Sequence, residues 1–91
     1  MTDTEQRIAK LGELVRTHRR SAGLTQIDLA DLAGVGKTTV HDIEKGKTTV
    51  QIDNLFAVLR VLNIEVLFSG PLQQPTVMDT ASESTSTGAV V

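Results

Sequence analysis

Residues 26–45 constrain the fold of this chain more than any other segment. Their sequence, QIDLADLAGVGKTTVHDIEK, predicts two short helices joined by a tight turn at Gly34, Val35 and Gly36. Gly34 falls where the helix that starts at Gln26 must end with a positive φ, which glycine adopts without steric cost. The apolar residues stand at spacings that let two crossing helices share one core: Leu29, Ala33, Val35, Val40 and Ile43. We therefore expect these two helices to pack directly against each other.

The second of these helices keeps a polar face. Lys37, Thr38 and His41 point away from the predicted core, with Asp42 beside them. A short polar face on a helix that is braced by another helix is the geometry with which a helix-turn-helix unit reads the major groove of DNA. The scarcity of aromatic residues argues against single-stranded nucleic acid, whose recognition depends on stacking. The pattern therefore predicts binding to duplex DNA.

The charge is distributed unevenly along the chain. All nine lysines and arginines lie within residues 7–60, which also hold six acidic residues and so carry a net charge of +3. The two ends are acidic and bring the total to −2. A basic centre with acidic ends suits a nucleic-acid binder that carries a separate interaction tail. A charge of +3 is also ordinary for a small domain. The charge therefore agrees with the helix-turn-helix pattern but does not by itself establish nucleic-acid binding.

Other functional classes find little support. The chain has no cysteine and only two histidines, far apart in sequence, so we expect neither a metal site nor a cofactor. No serine or threonine stands beside a base and an orienting group, which argues against an enzyme. GVGKTT at residues 34–39 resembles the end of a phosphate-binding loop, but Asp31 stands where that loop needs glycine. With no membrane span and no signal peptide in the sequence, we expect a cytoplasmic protein.

The segments around residues 26–45 complete an all-α, four-helix pattern. A first helix is predicted to run to about residue 22, with Leu11, Val15 and His18 facing the core. Thr25 is placed to cap the second helix. The apolar stripe of a fourth helix, at residues 51–62, is wider than one small core needs, which favours a dimer surface. Its members are Ile52, Leu55, Phe56, Leu59 and Leu62.

The last third of the chain changes character. After the helical pattern breaks, Ile64, Val66 and Phe68 alternate as on one face of a β-strand. Because we expect no second strand within the chain, this strand should pair with its own copy in a two-fold dimer. Residues 69–91 are rich in serine and threonine and contain no basic residue. We therefore predict a DNA-binding domain at 1–68, with its dimerisation strand at about 63–68, and a flexible polar tail at 69–91.

Two segments resemble known families. LGELVRTHRRSAGLTQIDLADLAGVGKTTVHDIEKGK, residues 11–47, resembles the lambda-repressor-like helix-turn-helix domains of the XRE family. The following TVQIDNLFAVLRVLNIEVLF is similar to the C-terminal part of HipB-type (Y4mF-like) antitoxins, in which a strand replaces the usual last helix. The resemblance implies a homodimer that represses its own operon and binds a HipA-type Ser/Thr kinase toxin.

The resemblance also implies roles for single residues. Lys37, Thr38 and His41 would reach base edges in the major groove. Asp42 falls at a position that reads bases in some relatives, but an acid there accepts only from cytosine and otherwise repels phosphate. The residues that would contact or approach the DNA backbone are Gln26, Thr39, Lys45 and Lys47. Arg19 and Glu44 match a family ion pair that ties the first helix to the third, and their role is structural.

Three functions are compatible with these features. The first is a dimeric antitoxin and autorepressor that binds an inverted repeat in its double-stranded operator. The second is a stand-alone XRE-family repressor, or a restriction-modification controller, without a toxin partner. The third is a protein-interaction module that no longer binds DNA, which the net acidity of the chain and Asp42 keep open.

Overall fold

Four helices followed by a β-hairpin make up the described part of the chain. The computed structural model describes residues 2–71 and 73–78. The elements are α1 (Asp3–Ser21), α2 (Gln26–Ala33), α3 (Lys37–Glu44), α4 (Ile52–Val61), β1 (Val66–Gly70) and β2 (Gln73–Met78). The predicted four-helix architecture is confirmed, and α3 begins directly after the predicted turn at Gly34, Val35 and Gly36. Among the described residues, no helix is long and apolar enough to cross a membrane.

Local signals in the sequence fix where the helices begin and end. The Thr2 hydroxyl accepts from the Glu5 N–H at 3.1 Å, while the Glu5 carboxylate accepts from the Thr2 N–H at 3.0 Å. Thr25 and Asp28 form the same reciprocal pair at the start of α2, at 3.0 and 2.9 Å. The hydrogen bond from the Thr25 backbone lowers the pKa of Asp28. Gly34 ends α2 with a φ of 72°, as its position predicted.

All four helices contribute to one small core. α2 and α3 pack on each other, α1 packs on α3, and α2 packs on α4. The buried hydrophobic residues are Val15, Leu29, Ala30, Val40, Ile43, Val58 and Leu59. The core therefore lies behind α3, which contacts the other three helices.

α1 crosses α3 so closely that the contact requires glycine at position 12. A Cβ built on Gly12 would overlap the carbonyl oxygen of Ile43 and lie 2.9 Å from the carbonyl oxygen of Glu44. Backbone atoms cannot turn aside as a flexible side chain does. Gly12 therefore sets the distance between α1 and the C-terminal turn of α3.

His18, predicted to face the core, and Ile52, predicted in the wide apolar stripe of the fourth helix, both lie at the surface. His18 is exposed, and its Nδ1 lies 2.9 Å from the carbonyl oxygen of Leu14. Arg19 takes the inward position in this turn of α1 because it pairs with an acid on α3. Ile52 is 68 % exposed because it is the first residue of α4 and precedes the turns that contact the core.

The expectation that the C-terminal strand has no partner in its own chain is wrong. β1 pairs antiparallel with β2, with Val66 opposite Met78 and Leu67 opposite Val77. Residues 69–70 and 73–78, which fall within the predicted tail, lie in β1 and β2, while its residues 72 and 79–91 lie outside the described residues. Pro75, which lacks an N–H, obscured the second strand in the sequence.

The strand also begins later than predicted. Asn63 has a φ of 58° and its N–H donates to Arg60, while the Ile64 N–H reaches back to the Leu59 carbonyl at 2.9 Å. These bonds close the C-terminus of α4 in the manner of a Schellman motif. Ile64 thus belongs to the end of the helix, and β1 starts at Val66.

Gly12→Ala should lower the stability of the protein. In an unconstrained helix this change is stabilising by about 0.5–1 kcal/mol. Here the new methyl group would push against the backbone of α3, and such overpacking costs about 1–3 kcal/mol. We expect a net loss in the free energy of unfolding, measured by urea denaturation followed by circular dichroism.

Gly70→Ala is the matched control, because no atom of the described part of the chain lies within 4 Å of a Cβ built on Gly70. It should change the free energy of unfolding by less than about 0.5 kcal/mol. A Gly12→Ala variant more stable than the wild type would mean that α1 and α3 do not approach as closely as described.

Candidate nucleic-acid interface

α3 carries a stripe of basic residues on a helix whose back is fixed in the core. Val40 is fully buried and Ile43 is 5 % exposed. Lys37, His41 and Lys45 follow one another at four-residue intervals, and all three are exposed. Residues at this spacing are neighbours on a helix surface. These three residues, which we call the α3 stripe, therefore form one continuous edge.

The other exposed face of α3 is polar and less basic. Thr38 is exposed, whereas Thr39 and Asp42 are half-buried. The Asp42 carboxylate lies 3.7 Å from the Nζ of Lys47, whose side chain remains 56 % exposed. This pair partly neutralises Asp42 and leaves Lys47 accessible.

Arg19 joins three parts of the fold through its guanidinium group. Its Nε donates to Glu44 Oε2 at 2.6 Å and its Nη2 donates to Glu44 Oε1 at 3.1 Å. Its Nη1 donates to the carbonyl oxygen of Leu24 at 2.9 Å. The two charged side chains are only 10 % and 5 % exposed. The expected ion pair is therefore present, and it ties α1 to the end of α3 and to the turn before α2.

Glu44 also accepts a hydrogen bond from Gln26, whose Nε2 lies 3.1 Å from Oε1. Burial by itself raises the pKa of Glu44, but the hydrogen bonds from Arg19 and Gln26 and the charges of Arg19 and Arg16 together lower it. The hydrogen bond to Glu44 in turn raises the pKa of Arg19. Both groups stay ionised at neutral pH. Because the Gln26 amide nitrogen already donates within the protein, a phosphate contact would use its second hydrogen.

A basic cleft of about 270 Å³ separates the C-terminal part of α1 from α3. Its lining residues are Arg16, Arg19, Arg20, Gln26, His41, Glu44 and Lys45. Arg19 and Glu44 are paired with each other, so the remaining charge of the walls comes from Arg16, Arg20 and Lys45. Arg16 and Arg20 were not predicted as site residues, although their four-residue spacing on α1 signals a shared face.

A second depression lies on the opposite flank of α3. It has a volume of about 300 Å³ and is lined by Thr39, Asp42, Thr49, Val50, Gln51 and Asn54. These residues include one acid and no base. On its α1 side, α3 therefore borders the basic cleft. On its α4 side, it borders this depression, which is polar and has a single acid among its lining residues.

Comparison with known proteins identifies the family of this arrangement. The Helix-turn-helix family model HTH_3 matches residues 15–68, more than half of the chain. The chain belongs to the helix-turn-helix family. An uncharacterized HTH-type transcriptional regulator of Sinorhizobium fredii, y4mF, is 42 % identical over 64 residues, which cover 68 % of this chain and 84 % of the relative. A second such regulator, from Methanothermobacter thermautotrophicus, is 36 % identical over 52 residues, covering 57 % of this chain and 75 % of the relative.

A solved structure of a related protein has a similar fold. The restriction-modification controller protein C.AhdI from Aeromonas hydrophila matches with a TM-score of 0.59 and 32 % identity. The match covers 66 % of this chain and 91 % of C.AhdI. The predicted lambda-repressor-like fold of the XRE family is thereby confirmed, and the chain is a helix-turn-helix transcriptional regulator. The narrower likeness to HipB-type antitoxins stays a prediction.

Glu44→Gln tests the ion pair through its pH dependence. Because folding lowers the pKa of Glu44, the pair adds its full stability above the unfolded-state pKa, about 4.3. That stability is lost as the pH falls through the lower pKa of the folded protein. Glutamine keeps the shape without the charge, so the variant should unfold with about 1–3 kcal/mol less free energy at neutral pH.

The difference between wild type and Glu44→Gln should shrink as the pH is lowered below about 4, when denaturation is measured at a series of pH values. Glu13→Gln, which removes an exposed acid from α1, should show only a small difference throughout. A Glu44→Gln difference that stays constant with pH would contradict the ionised pair.

Proposed function

We propose that this protein represses transcription by binding duplex operator DNA through α3. The observation that carries the proposal is the exposed α3 stripe on a helix whose other side is buried. Glu44, an acid of the same helix, is held in an ion pair and does not present a free charge to phosphate. A helix with these properties suits insertion into the major groove.

The proposed contacts divide into base readers and backbone contacts. Lys37 suits the O6 and N7 acceptors of guanine, and the methyl group of Thr38 suits the thymine methyl. His41, one turn further along α3, offers a ring nitrogen to a base edge. The proposed backbone contacts are Gln26, Thr39, Lys45 and Lys47. Because Asp42 is half-buried beside Lys47, we assign it no base.

We infer that the operator-binding form is a homodimer that uses the hairpin. Leu67 and Phe68 lie on opposite faces of β1 and are 62 % and 51 % exposed. A two-stranded hairpin is marginally stable alone, so burial of these side chains against a second copy would stabilise it. Ile64 and Val66, also predicted as dimer contacts, pack partly against the core of their own chain. Two copies with their α3 helices about 34 Å apart would read an inverted repeat.

Lys37→Ala should weaken binding to a duplex that the wild-type protein selects from a random-sequence pool. If Lys37 pairs with guanine, the loss is about 1–3 kcal/mol, and discrimination against other sequences falls with it. Fluorescence anisotropy titrations measure both. Arg60→Ala removes the same charge from an exposed site on α4 and should have a much smaller effect. Equal affinity of Lys37→Ala and wild type for the selected duplex would refute the role of α3.

Leu67→Asp should convert the homodimer to a monomer, because a buried unpaired carboxylate is costly at an apolar interface. Leu67 is a better test than Val66, whose replacement would also disturb the core. Ser69→Asp adds the same charge at another exposed position of β1 and should leave the dimer intact. Sedimentation velocity distinguishes the two states, and an unchanged sedimentation coefficient for Leu67→Asp would exclude this interface.

We further infer that the regulator is the antitoxin of a HipBA-type toxin–antitoxin system. The similarity of residues 49–68 to HipB-type antitoxins and the hairpin after α4 support this assignment. The similarity to C.AhdI supports the alternative, a restriction-modification controller without a toxin partner.

Affinity capture from the host, followed by mass spectrometry, tests these two assignments. A captured Ser/Thr kinase whose activity falls when the purified protein is added would support the antitoxin. A restriction or methyltransferase gene beside this one, with no kinase captured, would support the controller.

A further inference from the structure

We propose that the basic cleft between α1 and α3 binds a phosphate group of the DNA backbone, with Arg16 and Arg20 as its principal ligands. The proposal rests on the DNA binding inferred above and adds contacts from α1 to those proposed for α2 and α3. This site would hold the duplex without reading its sequence, whereas the N-terminal half of α3 would read the bases.

The charges of the cleft favour an anion. Arg16 and Arg20 are exposed, and within the described residues neither takes part in an ion pair. Lys45 adds a third positive charge from the opposite wall. The acid in the cleft, Glu44, is offset by its ion pair with Arg19. The side chains that line the cleft therefore carry an excess of three positive charges toward a ligand.

Its position relative to α3 favours a backbone phosphate. His41 and Lys45 belong both to the α3 stripe and to the wall of the cleft. A helix that lies in the major groove has a phosphate backbone on each side of it. One backbone would then pass over the basic cleft and the other over the depression on the α4 side, which has an acid and no base among its lining residues. The cleft would therefore supply the stronger electrostatic contact.

Arg16 interacts electrostatically with a side chain on the opposite wall of the cleft. Its positive charge contributes to lowering the pKa of Glu44, which lies across the cleft on α3. Arg20 follows Arg16 by one helical turn on α1 and lines the same space. A guanidinium group offers several N–H donors in a plane, which matches the geometry of phosphate oxygens.

The test compares wild type with the double variant Arg16→Gln/Arg20→Gln on two probes. One is the duplex selected by the wild type from a random pool, and the other is a mixed-sequence duplex of about 20 base pairs. Binding is measured at a series of salt concentrations. Each phosphate contact that is removed should reduce the slope of log K against log salt by about 0.9. We expect a flatter slope and roughly tenfold weaker binding at low salt on both probes alike.

Two matched variants control for charge and folding. Arg7 lies nine residues before Arg16, about half a turn around α1, so Arg7→Gln should leave the slope unchanged. Arg16→Lys/Arg20→Lys retains the charge and should recover most of the salt dependence. Thermal melting by circular dichroism should show that the double glutamine variant is folded, as expected for two exposed side chains.

The results separate this proposal from the proposed function. If Arg16→Gln/Arg20→Gln binds both probes with the wild-type slope while Lys37→Ala loses affinity for the selected duplex, the cleft is not a phosphate site and α3 remains the reader. If the double variant loses affinity for the selected duplex alone, the two arginines read sequence and the proposal is wrong. If the wild type selects no duplex from the random pool and does not bind the mixed-sequence duplex, DNA binding itself is refuted.

Discussion

The pairing of Arg19 with Glu44 is the interaction on which the rest of the arrangement depends. It joins residues 25 positions apart, and it holds α1, the turn before α2 and the end of α3 together through a single guanidinium group. The close backbone contact at Gly12 fixes the same two helices a few residues away. Together the ion pair and the Gly12 contact fix the distance and the orientation of α3 relative to α1. The same pair removes a free acid from the surface that would meet phosphate.

The parts of the fold that the sequence predicted are those that local chemistry controls. Thr25 and Asp28 cap α2 across three residues, and Gly34 ends it by its own φ. The parts that it did not predict depend on distant segments. Glu44 of α3 pairs with Arg19, and this contact decides that Arg19 and not His18 faces inward on α1. The pairing of β1 with β2 depends on a short, proline-containing partner whose own pattern is weak.

The same distinction applies to the candidate site. The polar face of α3 follows from helical periodicity, so Lys37, Thr38 and His41 were identified from sequence and are exposed in the structure. The basic cleft combines arginines of α1 with Lys45 of α3, and it exists only once the tertiary fold brings the two helices together. In our account α3 reads the bases and the cleft holds the DNA backbone. Glu44 keeps α3 and the cleft in place but contacts neither the bases nor the phosphates.

A nuclear magnetic resonance titration with the selected duplex tests this division of roles most directly. We predict that chemical-shift changes concentrate at the backbone amides of residues 37–41 and at the side-chain Nε–Hε groups of Arg16 and Arg20. The Nε–Hε signal of Arg19 should stay close to its free position, because its partner Glu44 is retained. Shifts confined to α4 and the hairpin, with α3 and the two cleft arginines unaffected, would contradict the account.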